Sequence, residues 1–369
     1  MTIDRIDLFH LRLPLVHFFE TSFGRETHIE TLIVRIRADG LTGWGECAAS
    51  AAPTYSYETS GTTWHINRDW LVPRLLQAKV AHPSDLVKLY SFCRGHGMAK
   101  TGTEQALWDI EAQKRGLPLA KLLGGAMTEI PTGISLGIED SVGDLIARIE
   151  DSLAKHYRRI KLKIKPGWDV DVIREARKRF PKTLLMGDAN SAYSLKDADH
   201  LKRLDEFDLL MIEQPLAYDD YVDHRHLQAM LKTPVCLDEC IKSPADARRA
   251  IELKAGKIIN LKQARVGGTT EAVRVHDLCR DAGWPVWCGG LLETGIGRAH
   301  NIALWTLPNF TLPGDVSASE RYYKLDLIDP PVTVTERGTI EVSTTPGLGY
   351  KVVEERLQGY LVKHEEFRR

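Results

Sequence analysis

Short runs of aliphatic and β-branched residues recur at nearly even intervals through the middle of the chain. Successive runs start 23 to 28 residues apart, and the segments between them have helical periodicity. Strands that are apolar on both faces and alternate with helices indicate a parallel sheet. Eight such units favour a closed (β/α) barrel, while an open doubly wound sheet is the alternative. The runs begin at Pro131, Arg158, Thr183, Leu209, Pro234, Lys257, Pro285 and Asn309.

The two flanks of this repeat have a different character. Before residue 131, the run HIETLIVRIRADGLTGWGECA predicts two antiparallel strands joined at Asp39-Gly40, and helical stretches follow. The tail after about residue 317 is too short for a domain of its own, so we expect it to pack on the N-terminal part. We therefore predict an α/β protein with an α+β capping domain over 1–125, a (β/α)7β TIM-like barrel over 126–316, and a returning tail over 317–369.

Composition and charge narrow the possible partners. The chain has 49 Lys and Arg against 50 Asp and Glu, which leaves no electrostatic reason to bind nucleic acid or an anionic membrane. No apolar run approaches the roughly 20 residues of a membrane-spanning helix, and the N-terminus lacks the continuous apolar stretch of a signal peptide. We expect a cytoplasmic protein with a small-molecule carboxylate as its partner, and we expect homo-oligomers because barrels of this kind commonly self-associate.

Three acidic residues fall at matching positions on consecutive predicted strands. Asp188, Glu213 and Asp238 are spaced by 25 and 25 residues. In (β/α) barrels the carboxyl ends of the strands converge on one mouth, where the chemistry occurs. Three carboxylates held there repel one another unless a cation neutralises them, and oxygen ligands suit Mg²⁺. The pattern therefore predicts a magnesium site at this mouth.

Lysines flank the predicted magnesium site on both sides. Lys161 and Lys163 are two residues apart on the second strand, so they share the face that looks into the barrel. Lys262 ends the sixth strand, about opposite the second in a ring of eight. Burying a lysine is costly unless charge is nearby, and a metal and a neighbouring ammonium would lower its pKa. A substrate carbon between these lysines could lose a proton to one and regain it from the other.

The order KLK, DAN, EQP, LDE and NLK along the strands resembles the enolase superfamily, and in particular its muconate-lactonizing branch. Within it, the stretches KLKIKPGWD, IEQPLAYDD, RVGGTTEA and NFTLPGD are similar to the family of o-succinylbenzoate synthases and N-succinylamino acid racemases. The resemblance covers essentially the whole chain. It implies an enzyme that dehydrates a succinyl-hydroxycyclohexadiene carboxylate in menaquinone biosynthesis and also racemises N-succinylamino acids.

The resemblance also implies roles for the five charged residues. The superfamily pairs a Lys or His base with Mg²⁺, which stabilises an enediolate. Asp188, Glu213 and Asp238 would then bind Mg²⁺, for which Mn²⁺ could substitute. Lys163 would remove the α-proton. Lys262 would stabilise the enediolate in the synthase reaction and act as the second base in racemisation.

Further residues would orient the substrate, again by resemblance. Lys161 would position the carboxylate, and Asn190 and Glu239 would steady the metal ligands. Aromatic residues of the segment HFFETSFG suit a lid that excludes water, although Phe19 could equally be a core residue of the capping domain. The residues implied to recognise the remote succinyl group are Ser135, Gly290, Leu291, Leu292, Phe19, Phe23 and Tyr55.

Four other functions stay open at this point. An N-acylamino acid racemase as the main role and a muconate cycloisomerase need the same acid–base groups. Dipeptide epimerases carry Asp-x-Asp at the end of the last strand, where this chain reads Gly314-Asp315-Val316-Ser317. A barrel used only as an assembly surface would be expected to have lost some of the five charged residues, and none is lost.

Overall fold

The computed structural model describes residues 1–369 and contains fifteen β-strands and fourteen α-helices. The strands are β1 (Ile3–Thr21), β2 (Gly24–Ala38), β3 (Leu41–Cys47), β4 (Glu129–Pro131), β5 (Ile134–Leu136), β6 (Arg159–Lys163), β7 (Leu184–Asp188), β8 (Ile212–Glu213), β9 (Val235–Leu237), β10 (Ile258–Leu261), β11 (Val286–Cys288), β12 (Ile328–Asp329), β13 (Thr339–Glu341), β14 (Lys351–Val352) and β15 (Leu361–Arg368). The helices are α1 (Ser60–Ile66), α2 (Val72–Gln77), α3 (Asp85–Leu89), α4 (Gly97–Lys114), α5 (Leu119–Leu122), α6 (Val142–Ala154), α7 (Val170–Arg179), α8 (Ala198–Lys202), α9 (Val222–Met230), α10 (Pro244–Leu253), α11 (Gln263–Val266), α12 (Thr269–Asp281), α13 (Gly295–Trp305) and α14 (Glu354–Gln358).

The N-terminal sheet is antiparallel, with the strand order β15-β1-β2-β3. The predicted hairpin is confirmed: β2 pairs with β3, and Asp39 and Gly40 both have positive φ, as a two-residue hairpin turn requires. The last strand, β15, pairs antiparallel with β1. The C-terminal tail therefore lies against the N-terminal sheet.

The segment HFFETSFG differs from the expected lid loop. Its first part belongs to β1, and β1 and β2 continue to pair up to Thr21 and Gly24, which makes this segment the tip of a long hairpin. Its aromatic and β-branched residues favour extended backbone, which explains why it pairs. The lid candidates are therefore carried on a hairpin arm and not on an irregular loop.

Seven parallel strands form the barrel sheet in the order β11-β10-β9-β8-β7-β6-β5. The eighth predicted strand, from Asn309, is not a regular strand. It bridges to Val286 through Phe310 and to Thr132 through Gly314, and so it closes the ring between β11 and β5. Pro313 lacks an N–H to donate, which interrupts the ladder at this edge. The (β/α)7β architecture is thus confirmed, with a closing segment in place of the last full strand.

The barrel interior is layered because alternate residues of each strand point inward. One layer is apolar and consists of Met186, Met211, Cys236, Ile258 and Trp287. Two residues further along three of these strands stand Asp188, Glu213 and Asp238. The same alternation that fills the barrel bottom with apolar groups therefore places charges at the carboxyl ends.

The capping sheet and the barrel share one hydrophobic core. Phe9 and Leu11 of β1 and Trp44 of β3 belong to the same buried cluster as the barrel residues. Glu46 of β3 accepts hydrogen bonds from the backbone N–H groups of Thr294 and Gly297 at the start of α13. These contacts hold the capping domain over the barrel mouth. None of the helices is both long enough and apolar enough to cross a membrane.

Candidate active site

Both lysines of β6 point into the barrel and are buried. The ammonium of Lys163 donates to Asp188 Oδ2 and to Asn190 Oδ1, each at 2.6 Å. The ammonium of Lys161 lies 3.0 Å from Glu213 Oε2 and 3.1 Å from Asp188 Oδ2. Burial of two lysines is tolerated here because carboxylates surround both.

Across the barrel mouth, Lys262 follows β10 and donates to Asp238 Oδ2 at 2.9 Å. It also donates to the phenol oxygen of Tyr55 at 3.0 Å, and Arg265 Nη1 donates to the same oxygen at 2.8 Å. Tyr55 in turn donates to Asp238 Oδ2 at 3.1 Å. Tyr55 belongs to the capping domain, so this network ties the cap to the lysine of β10. In a ring of eight, β6 and β10 are opposite each other.

The electrostatics of the cluster follow from burial and from the opposed charges. Burial would lower the pKa of Lys262, but Asp238 outweighs it and raises the pKa well above its usual value. The pKa of Lys161 is raised in the same way by Asp315, Glu213 and Asp188. The predicted lowering of a lysine pKa therefore depends on positive charge bound by the same carboxylates.

The carboxylates themselves respond differently to the shared site. Burial and the neighbouring Asp188 raise the pKa of Glu213 to about 8. Burial would also raise the pKa of Asp188, but the ammonium groups of Lys163 and Lys161 hold it well below its usual range. Two acidic groups with opposite shifts in one site are typical of an active site.

The three carboxylates have the donor chemistry of a divalent-cation site but do not stand as close together as ligands of one ion. No three acidic, histidine or cysteine side chains converge tightly enough to ligate an ion in this arrangement, because lysine ammonium groups lie between the carboxylates. The donors nevertheless come from three neighbouring strands and are all oxygen, which is the set that hard cations prefer. Beside them, Glu239 Oε2 is buried without a hydrogen-bond partner, while Glu239 Oε1 accepts from Asn190.

One cavity lies between this charged cluster and the capping domain. Its volume is about 70 Å³, well below the several hundred Å³ of typical ligand pockets. Within it, Ser135 Oγ is buried without a hydrogen-bond partner, and the Lys163 ammonium lies 5.8 Å from the centre of the Phe19 ring. The predicted residues that line the cavity are Phe19, Phe23, Tyr55, Ser135, Lys161, Lys163, Asn190, Lys262, Gly290, Leu291 and Leu292.

Three charged residues of the site were not among the predicted ones. Asp315 contacts Lys161 at 2.6 Å and Arg159 at 2.7 Å, and Arg265 pairs with Asp238. Strand periodicity could have identified Arg159, which is two residues before Lys161. Asp315 could have been identified by its position at the end of the closing segment, which matches the strand-end positions of the three predicted carboxylates. Arg265 lies on the short helix α11, where no strand pattern applies.

A barrel mouth that combines inward-facing lysines with three carboxylates is typical of acid–base enzymes that move a proton at the carbon next to a substrate carboxylate. Residues 6–124 match the model of the mandelate racemase / muconate lactonizing enzyme N-terminal domain, and residues 144–356 match that of the enolase C-terminal domain-like family. The chain belongs to the enolase superfamily, whose members are generally dependent on divalent metals.

Individual relatives are similar over nearly the full length. An o-succinylbenzoate synthase of Geobacillus stearothermophilus is 53% identical over 98% of this chain and 96% of its own. An N-succinylamino acid racemase of an Amycolatopsis species is 45% identical, with 97% of both chains covered. The crystal structure of an enolase-superfamily member from Listeria innocua superposes with a TM-score of 0.95 at 39% identity, covering 100% of this chain and 99% of that one.

Proposed function

We propose that this protein is a Mg²⁺-dependent o-succinylbenzoate synthase that also racemises N-succinylamino acids. The observation that carries the proposal is the position of Lys163 and Lys262 at opposite sides of one cavity, with Asp188, Glu213 and Asp238 beside it. The names of relatives at 45% to 53% identity support it.

In the synthase reaction, Lys163 acts on one face of the substrate. Its neutral amine takes the α-proton, and the electron pair of the C–H bond passes into the adjacent carboxylate to form an enediolate. The C–O bond to the neighbouring hydroxyl then breaks, and the ammonium of Lys163 returns the proton to the departing oxygen, which leaves as water. Asn190 Oδ1 lies 2.6 Å from the Lys163 nitrogen and keeps it oriented.

Two further groups would stabilise the charge that develops on the carboxylate. The ammonium of Lys262 faces the cavity from the other side and is held there by Asp238 and Tyr55. Asp188, Glu213 and Asp238 would bind the divalent cation, which supplies positive charge next to the substrate carboxylate. Preorganised charge of this kind is usually the largest single contribution to catalysis.

Racemisation is the second activity, and the placement of Lys262 favours it. When Lys163 removes the proton of one enantiomer, Lys262 can return a proton from the opposite face, and the roles reverse for the other enantiomer. Dipeptide epimerisation is less well supported, because the carboxylate of Asp315 already pairs with Lys161 and Arg159. The two proposed activities use the same acid–base groups and differ in the pocket shape that they require.

The assay is the loss of absorbance of the cyclohexadiene carboxylate on addition of purified protein with Mg²⁺. We expect turnover, its loss after dialysis against a chelator, and its return with Mg²⁺ or Mn²⁺. Lys163→Ala should lower the rate by a factor of at least about 10² to 10⁴, as loss of a general base does. The exposed Lys202 on α8 offers a matched control, since Lys202→Ala should be fully active. No turnover with either metal would refute the synthase.

A further inference from the structure

A second cavity lies between the capping domain and the barrel, separate from the active-site cavity. Its volume is about 460 Å³, within the range of small-molecule pockets. Leu86 and Val87 of α3 and Tyr90 form an apolar wall on the capping side, and Val266 of α11 lies on the barrel side. An occupant of this cavity would therefore contact both domains.

Two lysines line this cavity without an ion-pair partner. Lys100 of α4 donates only to the carbonyl oxygen of Cys93, at 2.6 Å. Lys242 has no carboxylate partner and lies over the aromatic rings of Tyr57 and Tyr218, at 5.8 and 5.0 Å from the ring centres. Partial burial lowers the pKa of Lys100, and the nearby Glu58 and Glu271 oppose this effect. Both side chains are partly buried, and neither ammonium has a carboxylate within ion-pair distance.

The acidic residues around the cavity already have donors. Glu104 accepts from the backbone N–H groups of Thr269 and Thr270 and from the indole of Trp108. Asp246 pairs with Arg249. A third acidic residue, Glu271, pairs with Arg274 and forms no ion pair with Lys100. The carboxylates that line the cavity therefore have hydrogen-bond or ion-pair partners within the protein, whereas the ammonium groups of Lys100 and Lys242 keep donors free for a ligand.

We propose that this cavity binds a small organic carboxylate, with its apolar body against Leu86, Val87 and Tyr90 and its charge between Lys100 and Lys242. The cavity adjoins the active site through two contacts. Arg265 lines this cavity, and its guanidinium bonds Tyr55 and Asp238. Tyr57 also lines it and lies two residues from Tyr55 on the same loop. A molecule bound in this cavity would therefore contact Arg265, which is bonded to the groups that position Lys262.

The probe is benzoate, which combines one carboxylate with an apolar ring, titrated into the Mg²⁺-loaded protein and followed by ligand-observed NMR. Lys100→Gln and Lys242→Gln should each weaken binding about tenfold, as the loss of one charge-assisted hydrogen bond does. Lys202→Gln, an exposed lysine remote from the cavity, should leave it unchanged. Benzyl alcohol, the neutral analogue, should bind at least tenfold more weakly than benzoate, and equal binding would overturn the assignment of an anion.

Benzoate could also bind the active site, so a second pair of variants separates the two locations. Val87→Trp fills the cavity without removing either charge and should abolish the binding that depends on Lys100 and Lys242. Lys161→Gln alters only the active site and should leave that binding intact. If binding disappears in Lys161→Gln and persists in Val87→Trp, benzoate occupies the active site alone and the proposal is wrong.

Discussion

The phenol of Tyr55 connects the capping domain to the cationic side of the barrel mouth. It accepts from Lys262 at 3.0 Å and from Arg265 at 2.8 Å, and it donates to Asp238 at 3.1 Å. Replacing Tyr55 with Phe keeps the ring and removes all three hydrogen bonds. We expect the substitution to reduce activity by letting the ammonium of Lys262 move.

The size of the effect can be worked from the remaining contacts. The effect on activity acts through Lys262, which keeps Asp238 as a partner and loses one hydrogen bond, the one to Tyr55. Such a bond contributes about 1.5 to 3 kcal/mol. At about 1.4 kcal/mol for each factor of ten, Tyr55→Phe should lower kcat/KM by about 10- to 150-fold.

The assay compares the synthase reaction and racemisation in the wild type, in Tyr55→Phe and in Tyr360→Phe. Tyr360 is a control because its hydroxyl makes one hydrogen bond, to Leu325 at 3.2 Å, near the surface and outside the site. The loss should fall on kcat more than on KM, since Lys262 acts on charge that develops during the reaction. A Tyr55→Phe enzyme within twofold of wild type in both reactions would refute the reasoning.

Three other predictions address the bases, the buried charges and the pH dependence. Lys163→Ala and Lys262→Ala should each abolish racemisation, while the α-proton of one enantiomer still exchanges in D₂O, measured by NMR. Asp315→Asn removes the carboxylate partner of the buried Arg159 and one of three carboxylates around Lys161, and it should lower the free energy of unfolding by about 3 to 5 kcal/mol in urea titrations. Asp171→Asn, at a side chain that is 85% exposed, should cost less than about 1 kcal/mol. Burial lowers the pKa of His300 from 6.5 to about 4, so the unfolded chain binds the proton first, and stability should fall by up to about 3 kcal/mol between pH 6.5 and pH 4.

Each of these predictions has a distinct contrary result. Near wild-type racemisation by either lysine variant would exclude the two-base scheme. Equal destabilisation by the two Asp→Asn changes would mean that the buried ion pairs contribute no more than an exposed one. For the titration, His300→Gln should flatten the acid limb of the stability profile, and an unchanged limb would assign the pH dependence to other groups.

Much of the fold is readable from the chain because its causes are local. Alternating apolar runs and helical segments at 23- to 28-residue intervals specify the parallel strands. The two-residue spacing of Lys161 and Lys163 specifies one face of a strand. The eighth strand was the exception, since Pro313 interrupts a pattern that looks regular in composition. The segment HFFETSFG was a second exception. Its extended structure comes from pairing with β2, and its own residues do not show that pairing.

Relations between distant residues required the folded chain. Asp315 and Lys161 are separated by 154 positions, and Tyr55 and Lys262 by 207, so no local periodicity relates them. Their meeting depends on how far the closing segment reaches and on where the cap sits over the barrel. The chain therefore specifies which charges stand at the strand ends, through the period-2 geometry of a strand. Which charge faces which, and with what pKa, is set by packing, because electrostatic energy depends on distance and burial in three dimensions.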